Sequence, residues 1–153
     1  MLSGPEPQRT ILEEKILKQL RDINLQAAMV RGMPEAEEAS GLHGNLLVFS
    51  HLDSEKLREM IHRSALVICR SGYSSILDLV TLGKRAIFIP TPGQTEQEYL
   101  SKYLMEKKIF FSMAQEDFDL LYALEMSKNF HGMVIRNDYK ILEEEILSLK
   151  GSR

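Results

Sequence analysis

The chain has 153 residues and a mass of 17.5 kDa, the size of one domain with a single core and short for a two-domain enzyme. Hydrophobic residues make up 44% and charged residues 27%, a balance that argues against a disordered chain, and a net charge of -3 without a basic stripe argues against a nucleic-acid partner. Cys69 is the only cysteine, which excludes an intrachain disulfide or a thiolate cluster; with no secretory signal and no apolar run of membrane-spanning length, a reducing, cytoplasmic setting is expected.

Residues 1–5, Met1-Leu2-Ser3-Gly4-Pro5, read as the end of a strand and the turn after it, which implies that an upstream region has been cut away. Leu12, Ile16 and Leu20 then recur at helical spacing. A strand is predicted at 26–30, followed by a Glu-, Ala- and Gly-rich stretch at 31–45 that reads as a solvated loop. Further strands are predicted at 46–49, 65–69, 86–89 and 109–111. Between them come helices marked by Leu57, Met60 and Ile61, by Ile76, Leu77 and Val80 with Gly83 just beyond, and by Tyr99, Leu100, Tyr103 and Leu104. Two more helical patterns, 117–127 and 139–149, close the chain, with 133–135 ambiguous between them. Short runs without polar alternation belong to a parallel sheet covered on both faces. Repeated β-α units make that sheet open and doubly wound, so the expected fold is a mostly parallel, Rossmann-like α/β domain over 1–153 with C-terminal helices.

In such a sheet ligands bind beyond the carboxyl ends of the strands. Arg70-Ser71-Gly72-Tyr73-Ser74-Ser75 lies between a strand end and a helix start, where Gly72 permits a tight turn and the amides of Tyr73, Ser74 and Ser75 are unpaired first-turn donors. This arrangement suits a diphosphate; on the turn alone, a helix merely capped by Ser74 or Ser75 fits equally well. Asp78, about one turn along, is placed to accept hydrogen bonds from the two hydroxyls of a ribose or simply to complement the helix dipole. His43, His62 and His131 have no ligand spacing with one another or with Cys69, so no metal site is expected. The run Glu143-Glu144-Glu145 reads as the solvated face of the last helix.

From Leu46 to Phe111 the sequence resembles the C-terminal, donor-binding domain of GT-B glycosyltransferases, in the branch that contains the peptidoglycan-precursor GlcNAc transferase. The segments that carry the likeness are Ala65-Leu66-Val67-Ile68-Cys69-Arg70-Ser71-Gly72, the helix through Asp78-Leu79, and Gly83-Lys84-Arg85-Ala86-Ile87-Phe88-Ile89-Pro90 followed by Gln97-Glu98. The resemblance implies that Ser71, Gly72, Tyr73, Ser74 and Ser75 hold a diphosphate, together with Ser3 and Gly4, which fall at the family's first glycine-rich turn. It places Asp78 on the ribose, where the family usually has Glu, and His51 and Leu52 in the loop whose backbone meets the base. Gln97 and Glu98 fall at the donor-sugar positions; Glu98 stands where an amide is more usual and Ser101 where Asn is.

The expected ligand is a nucleotide-sugar, a UDP-sugar by resemblance, with no other cofactor. The expected activity is transfer of a hexose or N-acetylhexosamine to an acceptor hydroxyl. The catalytic base and acceptor site belong, in that architecture, to an N-terminal domain, so the chain alone is expected to be inactive. Two alternatives stay open: a stand-alone donor subunit paired with a separate acceptor subunit, reaching a membrane peripherally through it, and a nucleotide-sugar hydrolase or epimerase on the same scaffold.

Overall fold

The structure is a computed structural model, and it describes residues 1–21, 23–33 and 40–133. The elements run α1 (Gln8–Leu20), β1 (Ala27–Val30), β2 (Ser40–His43), β3 (Leu46–Phe49), α2 (Ser54–Arg63), β4 (Val67–Cys69), α3 (Tyr73–Thr81), β5 (Ala86–Phe88), α4 (Thr95–Glu106), β6 (Phe111–Ser112) and α5 (Leu120–Ser127). Two three-stranded sheets form, ordered β1-β3-β2 and β4-β5-β6. Every pairing is parallel except β2 with β3, where Leu42 faces Leu47 in an antiparallel hairpin.

The first two residues join the sheets. The Leu2 amide donates to the Val30 carbonyl at the end of β1 (2.7 Å), and the Met1 amine donates to the Ile68 carbonyl in β4 (2.9 Å). Leu2 is buried. The strand end expected at 1–5 therefore lies between β1 and β4, and the spatial order becomes β2, β3, β1, Met1-Leu2, β4, β5, β6. Chain direction across the sheet reverses at Met1-Leu2: the path through α1 leads to one side, and the path through α2 leads to the other. This is a topological switch point of an open α/β sheet.

Two apolar clusters flank the sheet. Leu12 and Ile16 of α1 pack on Met29, Leu46, Val48, Ile87 and Ile89, with Phe118, Leu120 and Ala123 from the α5 side. Ile61, Ile76, Leu79, Val80 and Leu104 pack on Val67, Cys69 and Phe88 across the other face. Phe88 and Phe110 are completely buried and meet edge to face with centroids 5.0 Å apart, and each contributes about 1.5–3 kcal/mol by leaving water. Burial also pushes the Cys69 thiol up to about 11, which keeps it protonated and unreactive near neutral pH.

Several boundaries differ from the sequence reading. The stretch 31–45 is not all loop, because Ser40–His43 pairs with β3; a hairpin edge strand containing Gly41 and followed by Gly44 has too little apolar patterning to signal itself. Nor are all strands apolar on both faces for want of solvent: Ala28, Leu42 and Leu47, which share a row across β1, β3 and β2, are exposed. Ala65 and Leu66 precede β4, β6 begins only at Phe111, and α5 begins at Leu120 behind an Asp119 side chain that caps the Tyr122 amide at 2.8 Å. The helix expected at 139–149, the acidic run within it and residues 134–135 lie outside the described residues.

Gly32 follows β1 with φ of +64°, and a Cβ there would stand 2.5 Å from the Leu2 carbonyl oxygen. Gly44 has φ of +62° but open space around it. Chemical denaturation should separate the two. Gly44→Ala is expected to cost about 1 kcal/mol, from backbone strain alone, and Gly32→Ala about 3 kcal/mol or more, because it also forces Met1-Leu2 out of its slot. Equal losses would mean that the slot tolerates displacement.

Candidate functional site

Two turns leave the sheet side by side at the switch point. One is Ser3-Gly4, beyond Leu2, and the other is the segment 70–75, beyond β4. Arg70 ties them together from beneath. Its side chain is 1% exposed, and its five N–H bonds all end on neutral oxygens. Nε donates to the Ser3 carbonyl (3.4 Å), and Nη1 donates to the carbonyls of Ile89 (3.0 Å) and Pro90 (3.2 Å). Nη2 donates to the Gln8 carbonyl (3.0 Å) and to Gln115 Oε1 (2.6 Å). Gln115 Nε2 in turn donates to Gln8 Oε1 at 2.7 Å. Burial lowers the guanidinium to about 10, so it remains a cation at neutral pH.

The α3 N-terminus opens above this network. Its N-cap is Gly72, which offers no side chain to the first-turn amides, whereas Asp53 caps α2 by accepting from the Lys56 amide at 2.8 Å. Ser74 and Ser75 are the second and third helical residues, so neither is the cap that the alternative reading required. Gly72 needs another explanation than a tight turn. Its φ is -70°, which any residue adopts, and a Cβ would meet nothing within 4 Å. What its bare Cα provides is room directly in front of the helix end. Gly4 does need to be glycine, with φ of +102° and Thr91 Oγ1 only 3.3 Å from where a Cβ would stand. Ser3 is half-buried and Gly4 exposed.

The remaining predicted residues divide into those brought to the turns and those held apart. Ser71 is fully buried, and its hydroxyl donates to the Gln97 carbonyl at 2.8 Å, fastening the start of α4 to the turn after β4. Gln97 Oε1 accepts from the Thr91 amide at 2.9 Å, and its Nε2 donates to Gln94 Oε1. Glu98 is exposed and accepts from the Gly93 amide at 2.9 Å. Both side chains thus brace the loop after β5. Ser101 donates to the Glu98 carbonyl at 3.0 Å and is buried. Asp78 is exposed on α3 but sits in its second turn, beyond the reach of a strong dipole interaction. His51 and Leu52 follow β3, both half-buried, and His51 Nδ1 has no hydrogen-bond partner among the described residues. His62 and His131 are exposed, and among the described residues no three His, Cys, Asp or Glu side chains group to hold a metal.

The sequence reading assigned no role to Arg70, Gln8, Gln115 or Thr91. One signal was present: an arginine directly after the apolar run Val67-Ile68-Cys69 has no nearby carboxylate in sequence and must find its partners among backbone carbonyls. A cavity of about 880 Å³ lies elsewhere, between the second half of α1 and Leu46 and Val48 of β3. Arg31 in its lining is paired with Glu13 at 2.6 Å, and Leu17, Leu20, Ile23 and Leu25 line it together with Arg21, Asn24 and Asn45. The helix end without a capping side chain is at the turns.

Comparison with known proteins gives a consistent family. The model for the glycosyltransferase family 28 C-terminal domain matches residues 7–124. The UDP-N-acetylglucosamine--N-acetylmuramyl-(pentapeptide) pyrophosphoryl-undecaprenol N-acetylglucosamine transferase of Haemophilus influenzae (strain PittGG) is 33% identical over 100 residues, which is 60% of this chain and 27% of that protein. The transferase of the same name from Flavobacterium psychrophilum is 28% identical over 125 residues, 71% of this chain and 33% of that protein. The UDP-N-acetylglucosamine transferase subunit ALG13 of Kluyveromyces lactis is 33% identical over 101 residues, 65% of this chain and 50% of that protein. The chain thus spans between about a quarter and a half of the length of these relatives.

Thr91 is 1% exposed and its Oγ1 has no partner among the described residues. Thr91→Val, which keeps the shape and removes the hydroxyl, is expected to leave the unfolding free energy unchanged or raise it by about 1 kcal/mol. A drop of more than about 1 kcal/mol in denaturation would mean that the hydroxyl is satisfied, by an ordered water for example.

Proposed function

The chain belongs to the glycosyltransferase family 28 C-terminal domain family, and on that premise we propose that it is the donor-binding part of a hexosyltransferase, holding a UDP-sugar at the switch point. The observation that carries this reading is the α3 N-terminus, where Gly72 offers no capping side chain and leaves the space before the helix end open beside the Gly4 turn. Helix-terminal N–H groups and the positive end of the helix dipole favour a diphosphate there. The amides of Tyr73, Ser74 and Ser75 approach it from one side and Ser3-Gly4 from the other. Ser71 contributes by fixing the turn, since its hydroxyl is given to Gln97.

Asp78 then lies about 7.5 Å along the axis from the first helical residue, Tyr73, within reach of the ribose of a diphosphate held at the helix end. Its exposed carboxylate accepts from the two vicinal hydroxyls. His51 and Leu52 line the base. The donor sugar meets Gln97 and Glu98, and to do so Gln97 turns its amide away from Thr91 and Gln94. An N-acetylhexosamine is the favoured sugar because the matched relatives carry N-acetylglucosamine in their names.

In transfer, charge grows on the departing diphosphate as the glycosidic bond to it breaks. Preorganised amides stabilise that charge without reorganising, which is the chemical contribution of this part of the enzyme. Removal of the acceptor proton requires a general base. We assign that base and the acceptor site to an N-terminal domain or to a separate acceptor subunit; the subunit arrangement is favoured by the relative whose name calls it a subunit. We place the reaction in the cytoplasm, against a membrane only through that partner. No helix among the described residues is long and apolar enough to cross a membrane.

Calorimetric titration with UDP tests the site. The unmodified chain is expected to bind UDP, and Gly72→Val to keep its unfolding temperature while losing affinity by about tenfold or more, about 1.4 kcal/mol. Unchanged affinity in the variant would put the phosphates elsewhere. A second titration addresses the ribose. Asp78→Asn is expected to weaken UDP through loss of charge-assisted hydrogen bonds of about 1.5–3 kcal/mol, and to have little effect on a 2′,3′-dideoxy analogue. Equal losses with both ligands would remove Asp78 from the ribose.

A further inference from the structure

Arg70 is buried as a cation, yet no carboxylate among the described residues pairs with it, and each of its five donors is already held by a neutral oxygen. A buried charge is costly without a counter-ion. Carbonyl oxygens satisfy its hydrogen bonds but leave the unit charge itself uncompensated. The position of that charge is specific. Arg70 immediately precedes Ser71-Gly72 at the start of α3, and its Nε is 4.0 Å from where a Cβ on Gly4 would stand. The cation therefore sits behind both glycine turns, on the side away from solvent, where screening by water and salt is weak.

We propose that Arg70 is a positioning residue that acts as the fixed counter-charge of the phosphate site, neutralised by the ligand's diphosphate without touching it. This rests on the nucleotide-sugar reading above and extends it to a group that the ligand does not contact. The five hydrogen bonds hold the guanidinium back from the ligand, so its contribution is a field and not a contact. Such a field strengthens with the negative charge of the ligand. It favours diphosphates over monophosphates and monophosphates over the free nucleoside, and it stabilises the diphosphate most as the sugar departs.

Gln115 provides the test, because its Oε1 already accepts from Arg70 Nη2 at 2.6 Å. Gln115→Glu keeps the size of the side chain and all five guanidinium bonds, and places an anion in direct contact with the cation. The Gln8 amide can rotate to donate to the new carboxylate. Affinities for UDP, UMP and uridine are measured for both proteins by calorimetry or, for weak ligands, by NMR titration. Gln115→Glu is expected to weaken UDP by about tenfold or more, UMP by less, and uridine within about twofold. A folded variant that binds UDP as tightly as the unmodified chain, or that loses uridine as much as UDP, would overturn the counter-charge. Failure of the unmodified chain to bind UDP would instead defeat the nucleotide-sugar reading itself. If Gln115→Glu does not fold, Arg70→Lys takes its place, since it keeps the charge while giving up the fork. It is expected to lower the unfolding temperature yet retain the preference for UDP over uridine, and loss of that preference would overturn the proposal.

Discussion

A guanidinium buried at the end of β4 must place five N–H bonds, and in doing so it fixes the geometry of everything around it. Arg70 reaches the Ser3 carbonyl in the first turn, Gln8 at the start of α1, Ile89 and Pro90 after β5, and Gln115 between β6 and α5. These segments are far apart in sequence, and no single sheet hydrogen bond holds them in one place. Leaving any donor unpaired in this buried position costs about 1–3 kcal/mol or more, so the four segments are positioned together or not at all. Their shared location is the switch point, where the two glycine turns meet.

The sheet alone would not produce this site. Among the described residues, hydrogen bonds from Met1 and Leu2 join its two ladders, with Gly32 leaving the space that the Leu2 carbonyl occupies. Ser71 and Gln97 add a second tie, from the turn after β4 to the start of α4. The loop after β5 is braced in turn by Gln97 and Glu98. Rigid ties thus surround an opening that is itself lined by bare backbone at Gly4 and Gly72. A phosphate site made of backbone amides needs this combination, because the amides can be aimed only by fixing the chain that carries them.

Most of the architecture was legible in the sequence because burial writes it there. The runs 46–49, 65–69 and 86–89 coincide with strands to within two residues, and the helical spacings at Leu12, Leu57, Ile76 and Leu100 each fall in an observed helix. What escaped was set by long-range pairing: β2 exists because β3 offers it an edge, and the place of Met1-Leu2 depends on strands 28 and 67 residues away. At the site, strand-glycine-helix order pointed to the turn 70–75, while the ribose role of Asp78 came from the family resemblance and not from the turn. The reason given for Gly72 needed revision, since its backbone is ordinary and its value is the space it leaves. The position of Arg70 after an apolar run signals that it needs carbonyl partners, but not which ones, because hydrogen bonds to carbonyls of distant residues leave no pattern in composition or spacing.

The central claim is that backbone amides at the two glycine turns receive a diphosphate. A two-dimensional amide NMR titration with UDP tests it most directly. The account predicts that the largest shifts fall on Gly4 and on Gly72, Tyr73, Ser74 and Ser75, with a second group at His51, Leu52 and Asp78. Shifts confined to the cavity beside α1, at Leu17, Leu25 and Gly44, would contradict it, as would a spectrum that UDP leaves unchanged.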